Sequence, residues 1–491
     1  MNELRQIGRA TVSGTLWTYA TFMASKLLVM AANVILARLL LPEDFGLLAL
    51  GLIAINYLDA LGDFGVGAAY IWRREEPERS ADTAFSLSLA AGMTLGALAF
   101  AGAPLAGRFF HQPDLVPVMR VLASTLLIAS LGNLQAAKMK KQLEFRRRVL
   151  PEIARVLVKG GVSIGLALAG WGVWSLVWGQ VAGTLATTLL YWQVVSWRPR
   201  LSIDPKIAME LLRYGGQLVL LNLAGYLLMN LDYVFIGNRL GAGPLGFYTM
   251  AFRIPELVIL NVCYVISQAL FPAYARLQHD LPALRSGFLI ALRYVALLTA
   301  PAAAGMFLVA PEFVEVLYTD RWSASVPVMQ ALSIYTLIYS LSFNAGDIYK
   351  ATGRLSILNR VALLRLALTV PVLWFAVGWG IWQVALGQVL VIAMIAPLEL
   401  LLAGRLLQIS WKDYLESLKP ALIGAASMCL GLLLLRGWLA PAAPWLRLTG
   451  MVSGGALLYL GTLGLAQRGV FHQARQLLVA PLRARPALEE V

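Results

Sequence analysis

GWGVWSLVWGQV occupies residues 170–181, and GWGIWQVALGQV occupies residues 378–389, an offset of 208 positions. A second pair extends the match toward the N-terminus: VILARLLLPEDFGLLAL (residues 34–50), shifted by 200, meets VFIGNRLGAGPLGFYTM (residues 234–250). Both members of that pair pass from apolar sequence through a short polar turn to Phe45-Gly46 or Leu245-Gly246, and then become apolar again. Offsets that agree within a small insertion mark an internal duplication. The GWG triplets read as tight hairpins, with glycine supplying the turn and tryptophan seated at a membrane surface; direct contact with substrate is the alternative reading.

The surrounding sequence sets the medium. Of the 491 residues, 59% are hydrophobic and 13% are charged, with mean hydropathy +0.71, whereas a soluble domain carries about a quarter charged residues. Apolar stretches of about 20 to 27 residues recur along the chain, long enough for a helix to cross a hydrocarbon core of roughly 30 Å. The alternation expected of a β-barrel is missing from the sequence. The pattern predicts an all-α polytopic membrane protein with about fourteen spans, near 12–37, 46–71, 81–103, 116–137, 150–169, 173–196, 211–237, 245–271, 286–309, 324–345, 357–377, 381–404, 418–437 and 448–467. The duplication groups them as a six-helix bundle in 1–197, a second in 198–404, two additional helices in 405–467 and a tail in 468–491. Because six is even, the second copy would enter the bilayer with the orientation of the first. The two would be parallel repeats around an axis along the membrane normal, as in transporters whose halves rock about a central site.

The net charge of +14 would point to nucleic acid in a soluble protein. Here the cations sort by membrane side. With the N-terminus cytoplasmic, inner loops hold Arg73, Arg74, Arg79, Lys138, Lys140, Lys141, Arg146, Arg147, Arg148, Arg198, Arg200, Lys206, Lys350, Arg354, Arg360, Arg475, Arg483 and Arg485. Outer loops hold scattered residues such as Arg38, Arg108, Arg239 and Arg321, giving an inner excess of roughly four to one. These basic loops read as topology determinants and contacts to anionic lipid, with no nucleic-acid partner expected. Cys263 and Cys429 lie within predicted spans, and His111, His279 and His472 are scattered in loops, so neither a disulfide framework nor a metal site is expected. MNELRQIGRATVSG is followed by an apolar run too long for a signal-peptide core and is read as leading into an uncleaved span. After Arg468, Ala474, Leu477, Leu478 and Leu482 permit an interfacial helix or a frayed tail.

LARLLLPEDFGLLAL (residues 36–50), DYVFIGNRLGAGPLGFYTMAFRIPE (residues 232–256) and the six-plus-six-plus-two arrangement resemble the oligosaccharide flippases of the Wzx type. That family belongs to the multidrug/oligosaccharidyl-lipid/polysaccharide (MOP) exporter superfamily, with the lipid II flippases and the MATE drug exporters. The resemblance covers nearly the whole chain. It implies transfer of an undecaprenyl-pyrophosphate-linked oligosaccharide across the bacterial inner membrane, ahead of polymerisation into O-antigen, capsule or exopolysaccharide. It further implies membrane lipids as surroundings, a polysaccharide polymerase and export machinery as partners, no cofactor, and proton or sodium coupling; the even span count and the basic inner loops put both termini in the cytoplasm. A MATE-like multidrug or cation exporter is the alternative. It would favour lumenal carboxylates for cationic substrates, whereas this chain places basic residues near the midplane.

A charge at the bilayer centre costs at least about 2.5 to 3.5 kcal/mol on insertion scales, so each needs a partner or a watery cavity. Lys26 lies about 21 Å into the first span and Arg253 about 12 Å into the eighth from the opposite face, both in the middle third. Either could meet a lipid pyrophosphate, Arg by paired bonds to its oxygens and Lys as a point charge. Superfamily relatives have a cationic central cavity, and Lys26 and Arg253 suit that role. Alternatively Arg253 pairs with Glu256 at i+3, beside a kink at Pro255. Asn222, Tyr226 and Asn230 form an i, i+4, i+8 stripe that could bond sugar hydroxyls or serve as a packing face. Asn56, Asp59 and Asp63 share one face of the second span, to bind protons or cations or to pair with Lys159 or Arg155. Resemblance to sodium-coupled relatives makes Asp232 an ion candidate, although the eleventh span carries Arg365 and no carboxylate. Arg293 and Arg365 complete the candidate substrate contacts. PEFVEVLYTDRW (residues 311–322) holds Glu312, Glu315 and Asp320 but is short and reads as an interfacial hairpin, so no enzymatic activity is expected; no nucleotide-binding loop is present, so direct ATP drive is not expected either.

Overall fold

The computed structural model describes residues 25–62, 65–73 and 75–466, with the side chains at 60, 62, 145–146, 217–228 and 466 left out. Asp63, His472 and the tail after Arg468 lie outside them, as does the beginning of the first predicted span. Among the described residues the structure is helical, without strands. In chain order the helices are α1 (25–39), α2 (Pro42–Gly62), α3 (Val66–Trp72), α4 (Pro77–Phe109), α5 (Leu115–Lys141), α6 (Phe145–Leu168), α7 (Val173–Val194) and α8 (Pro205–Arg239). They continue with α9 (Ala242–Pro255), α10 (Asn261–Arg276), α11 (Leu281–Phe313), α12 (Ser325–Ala351), α13 (Leu355–Ala376), α14 (Ile381–Leu407), α15 (Trp411–Leu439) and α16 (Pro444–Ala466). Ten helical segments among the described residues are long and apolar enough to cross a membrane. The chain is a multi-pass membrane protein.

The helices form two compact units, Met1–Thr249 and Met250–Val491. In the first, Ile55, Leu95, Val118, Leu122, Leu126 and Val177 bring α2, α4, α5 and α7 together. A second cluster joins Val66 and Tyr70 of α3 to Phe85, Leu134, Ile207 and Leu211. In the second unit, Tyr274, Phe288, Leu292, Tyr349, Leu407 and Tyr414 form one core, while Ala296, Met428, Met451 and Tyr459 seat α15 and α16 on α11. Outward faces stay apolar, as lipid requires: Phe375 is 75% and Leu434 77% exposed.

The duplicated dodecapeptides are helical hairpins in both places. Gly172 (φ +53°) starts α7 after the α6 turn, and Gly380 (φ +122°) starts α14 after α13, conformations that an L side chain adopts only with strain. Trp171 and Trp379 stand exposed at these turns. The glycine nine residues into each motif is also used alike. A methyl group on Gly179 would meet Ser163 of α6, and one on Gly387 would meet Val372 of α13.

The other repeated stretch contains a reciprocal contact. A Cβ on Gly46 would lie 1.7 Å from the Ala242 carbonyl oxygen, and one on Gly246 would lie 1.8 Å from that of Pro42. The first turns of α2 and α9 therefore touch backbone to backbone. Residue i meets j+200 while j meets i+200, which is the signature of a local two-fold.

Three features depart from simple straight spans. The second predicted span divides into α2 and α3. Past Pro255, which has no amide N–H to donate and whose ring crowds the preceding turn, the helix widens into a π turn at Glu256–Leu260 before α10 begins. And α11 does not stop at a hairpin near residue 311 but continues through a π turn to Tyr318. There Glu312, almost fully buried, pairs with Arg436 of α15 at 3.1 Å, and Glu315 pairs with Arg447 of α16 at 3.2 Å. These carboxylates hold the last two helices against α11.

Candidate functional site

In the first unit, α8 delivers the candidate carboxylate. Asp232 is buried and accepts 2.7 Å from the Tyr248 hydroxyl and 3.0 Å from the Tyr233 amide. The two tyrosine rings meet edge to face at 5.7 Å. A carboxylate in apolar surroundings needs such donors, and a charge-assisted O–H···O⁻ bond is among the stronger ones. The bond ties α8 to α9 across the turn at Leu240-Gly241. Asn230 lies partly buried two residues before Asp232, and Lys26 lies partly buried in α1. Asn56 is half-buried on α2 and Asp59 exposed. Asn222 and Tyr226 belong to α8, but their side chains are outside those described, as is Asp63 altogether.

The second unit holds Arg253, Arg293 and Arg365, and a row of aromatic rings takes the last of these. On α12, Tyr335, Tyr339 and Phe343 repeat every four residues and lie over one another, with ring centroids 6.0 and 5.6 Å apart. Phe252 of α9 meets Tyr335, and Tyr264 of α10 meets Phe343. Arg365 reaches this row from α13. Its Nη2 donates 2.8 Å to the Tyr335 hydroxyl, and its guanidinium stands 5.1 Å above the Tyr339 ring. Glu399 of α14 faces Ser342 and Arg365. One residue from Phe252, Arg253 is half-exposed and 4.0 Å from Glu256, at the outer limit of an ion pair. The i+3 pairing expected from sequence is therefore present in its loosest form, and it leaves most of the guanidinium's donors free to take an anion. Arg293 on α11 is partly buried, and its Nε finds no hydrogen-bond partner among the described residues.

Chemically, the cluster combines a planar cation on an aromatic face, phenol hydroxyls and one carboxylate. Arginine held this way can still present donors to phosphate oxygens, and tyrosine faces suit the apolar faces of sugar rings. Sequence reasoning named Arg253 and Arg365 but missed Tyr335, Tyr339 and Glu399. The signals were there: an i, i+4, i+8 aromatic series on one span, and a lone carboxylate in an otherwise apolar one.

With this geometry in hand, comparison with known proteins places the chain. A family model described as "Polysaccharide biosynthesis protein" matches residues 35–327, from α1 into α12. The chain belongs to this family. It is 28% identical over 364 residues to the lipopolysaccharide biosynthesis protein WzxC of Escherichia coli, covering 74% of each chain. Against the teichuronic acid biosynthesis protein TuaB of Bacillus subtilis it is 27% identical over 351 residues, covering 71% of this chain and 72% of the other. The succinoglycan biosynthesis transport protein ExoT of Rhizobium meliloti is 25% identical over 340 residues, covering 68% of each. Among solved structures, the lipid II flippase MurJ in an inward closed conformation superposes with a TM-score of 0.72 over 95% of this chain and 99% of that one, at 14% identity. An inward-facing MATE family transporter of the MOP superfamily superposes at 0.64 over 78% of this chain and 94% of that one, at 18% identity. The resemblance to the Wzx type, read from two short stretches and the helix arrangement, is borne out by the family match and by the relatives. For this member of the polysaccharide biosynthesis family, the structural likeness establishes the fold through α16, beyond the segment matched by the family model.

Proposed function

We propose that this protein is a flippase that carries undecaprenyl-pyrophosphate-linked oligosaccharide units from the inner to the outer leaflet of a bacterial inner membrane by alternating access, supplying O-antigen, capsule or exopolysaccharide assembly. The observation that carries the reading is membership of the polysaccharide biosynthesis family, together with relatives named for lipopolysaccharide, teichuronic acid and succinoglycan biosynthesis. In this reading the chain crosses the membrane fourteen times, as two parallel six-helix repeats in 1–197 and 198–404 followed by two further helices in 405–467. The matching hairpins and the reciprocal Gly46 and Gly246 contacts support the repeat. The basic loops lie inside, both termini are cytoplasmic, and the protein transports without catalysing a covalent step.

Lys26 and Arg253 hold the pyrophosphate. Arg293 and Arg365 are further anion contacts. Asn222, Tyr226 and Asn230 meet sugar hydroxyls. Asp59, Asp63 and Asp232 are the candidates for coupling to a proton or sodium gradient, of which Asp232 already accepts a tyrosine hydroxyl. A polysaccharide polymerase and export machinery receive the product.

Two experiments test this. A strain lacking the protein should accumulate lipid-linked oligosaccharide in the inner leaflet; drug sensitivity without accumulation would transfer the protein to the drug-exporter class. In proteoliposomes, Lys26→Ala and Arg253→Ala should each slow flipping of lipid-linked glycan, and unchanged rates in both would remove these residues from the mechanism.

A further inference from the structure

The first ten residues of α8 build a second polar site, apart from the residues assigned to the glycan. With 35 residues, α8 is about 52 Å long, against a hydrocarbon core of roughly 30 Å. With the α8–α9 turn at the opposite surface, the segment from Pro205 to Tyr214 stands at headgroup depth. Trp72, the last residue of α3, stacks on Tyr214 with centroids 4.8 Å apart and planes 13° from parallel. Beside this pair opens a cavity of about 660 Å³, lined also by Lys206, Met209, Glu210 and Arg213.

The charges of this cavity are already sorted. Glu210 is paired with Arg73, which is only 8% exposed and whose Nε also donates to Ser80 at 3.0 Å. The Tyr70 carbonyl of α3, just before Trp72, accepts from the Lys141 ammonium at 2.8 Å, which fastens that helix end to α5. The single carboxylate is thus neutralised from behind by a fixed guanidinium. Lys206 and Arg213 make no ion pair with a carboxylate among the described residues. They lie seven residues apart on one face, about 10 Å along the axis. Both side chains are long enough to converge on a group between them. Met209, at 69% exposure, and Trp72, at 54%, supply an apolar wall on the same mouth.

We propose that this cavity binds the phosphate of an anionic glycerophospholipid, with Lys206 and Arg213 gripping the phosphate and Trp72, Tyr214 and Met209 lying along the glycerol and upper acyl chain. Two cations flanked by an exposed apolar wall match an amphiphile better than a soluble anion, because a soluble phosphate would leave that wall wet. The site does not depend on which glycan the protein carries.

Native mass spectrometry of the full chain, purified in detergent with phosphatidylglycerol or phosphatidylcholine, tests it. The wild type should retain one phosphatidylglycerol with about thirty-fold preference over phosphatidylcholine, from two cation contacts. Lys206→Ala/Arg213→Ala should lose that adduct while remaining monodisperse, and Lys206→Arg/Arg213→Lys should keep it. Trp72→Ala should weaken retention with both charges present. Equal retention by wild type and the double alanine variant overturns the proposal. So does displacement of the lipid by millimolar inorganic phosphate, which would make the site one for a free anion. Displacement by an equimolar polyprenyl pyrophosphate would overturn it too, by giving the cavity to the transported lipid.

Discussion

Replacing Gly46 and Gly246 with alanine, singly and together, tests whether the first turns of α2 and α9 share one contact. A methyl group at Gly46 starts 1.7 Å from the Ala242 oxygen, and one at Gly246 starts 1.8 Å from the Pro42 oxygen. An ordinary carbon-to-oxygen contact is about 3.2 Å, so each substitution must part the helices by about 1.5 Å, a shift that forfeits a large share of the dispersion energy of the side chains seated there. Phe45 and Leu245, both buried, are the ones affected. Overpacking of this kind costs about 1 to 3 kcal/mol, and the backbone nature of the obstacle puts each single variant near the upper end. One displacement relieves both clashes. The double variant should therefore cost about as much as either single variant, leaving an interaction energy of about −3 kcal/mol in the cycle. Equilibrium unfolding in mixed micelles titrated with dodecyl sulfate gives the four free energies. Costs for the two sites that add to within about 0.5 kcal/mol would show that the contacts are independent and would refute the reciprocal geometry.

Other consequences follow from the clusters. Arg365→Ala and Tyr335→Phe should each slow glycan flipping in proteoliposomes by about ten-fold or more, the range for a hydrogen bond to a charged group, and Arg365→Lys should not restore the rate because an ammonium cannot both stack and bond in this fork. Glu312→Gln should lower stability by about 1 to 2 kcal/mol, since the carboxylate is buried although Arg436 is 43% exposed, whereas Arg447→Ala should cost about 0 to 1 kcal/mol because both members of its pair with Glu315 reach water; the order of the two in detergent unfolding is the check. Asp232→Leu leaves the buried Tyr248 hydroxyl without its acceptor and should cost about 1 to 3 kcal/mol, while Asp232→Leu/Tyr248→Phe should recover much of that loss; a double variant as unstable as the sum would show that the bond between them is not what the single change breaks.

Most helices could be read in the sequence because lipid imposes a length and a composition on every crossing, and charged loops such as those at Arg73 and Lys141 interrupt them. The hairpins were legible for a similar reason: glycine marks a turn whatever surrounds it, and Gly172 and Gly380 have the dihedral angles that demand it. What the sequence hid was pairing over distance. Glu312 and Glu315 looked like loop carboxylates because Arg436 and Arg447 lie more than a hundred residues away, and only the packing of α15 and α16 on α11 brings them within reach. The aromatic row was hidden differently. Tyr335, Tyr339 and Phe343 in a membrane span have the composition of a lipid-facing or packing stripe, and nothing in local sequence shows Arg365 arriving from another helix to lie on them. Asp232 was visible through the resemblance to sodium-coupled relatives, but its partner Tyr248 was not.

In the proposed two-repeat reading, the two halves have kept different things. Turn glycines, the close approach of α7 to α6 and of α14 to α13, and the mutual contact of α2 with α9 recur at fixed offsets, and all of them are backbone features that a side chain would obstruct. The charged chemistry does not recur. Counting back 208 positions from Arg365 reaches Leu157, which is 53% exposed on α6, and from Glu399 reaches Tyr191, which is buried. In that reading duplication accounts for the hairpins and the helix approaches, where both halves must satisfy the same backbone geometry. On the proposed function, the cation–aromatic cluster would answer to a different demand, that of an amphiphilic anion with a sugar head, which offers no two-fold symmetry of its own and gives one half no reason to match the other.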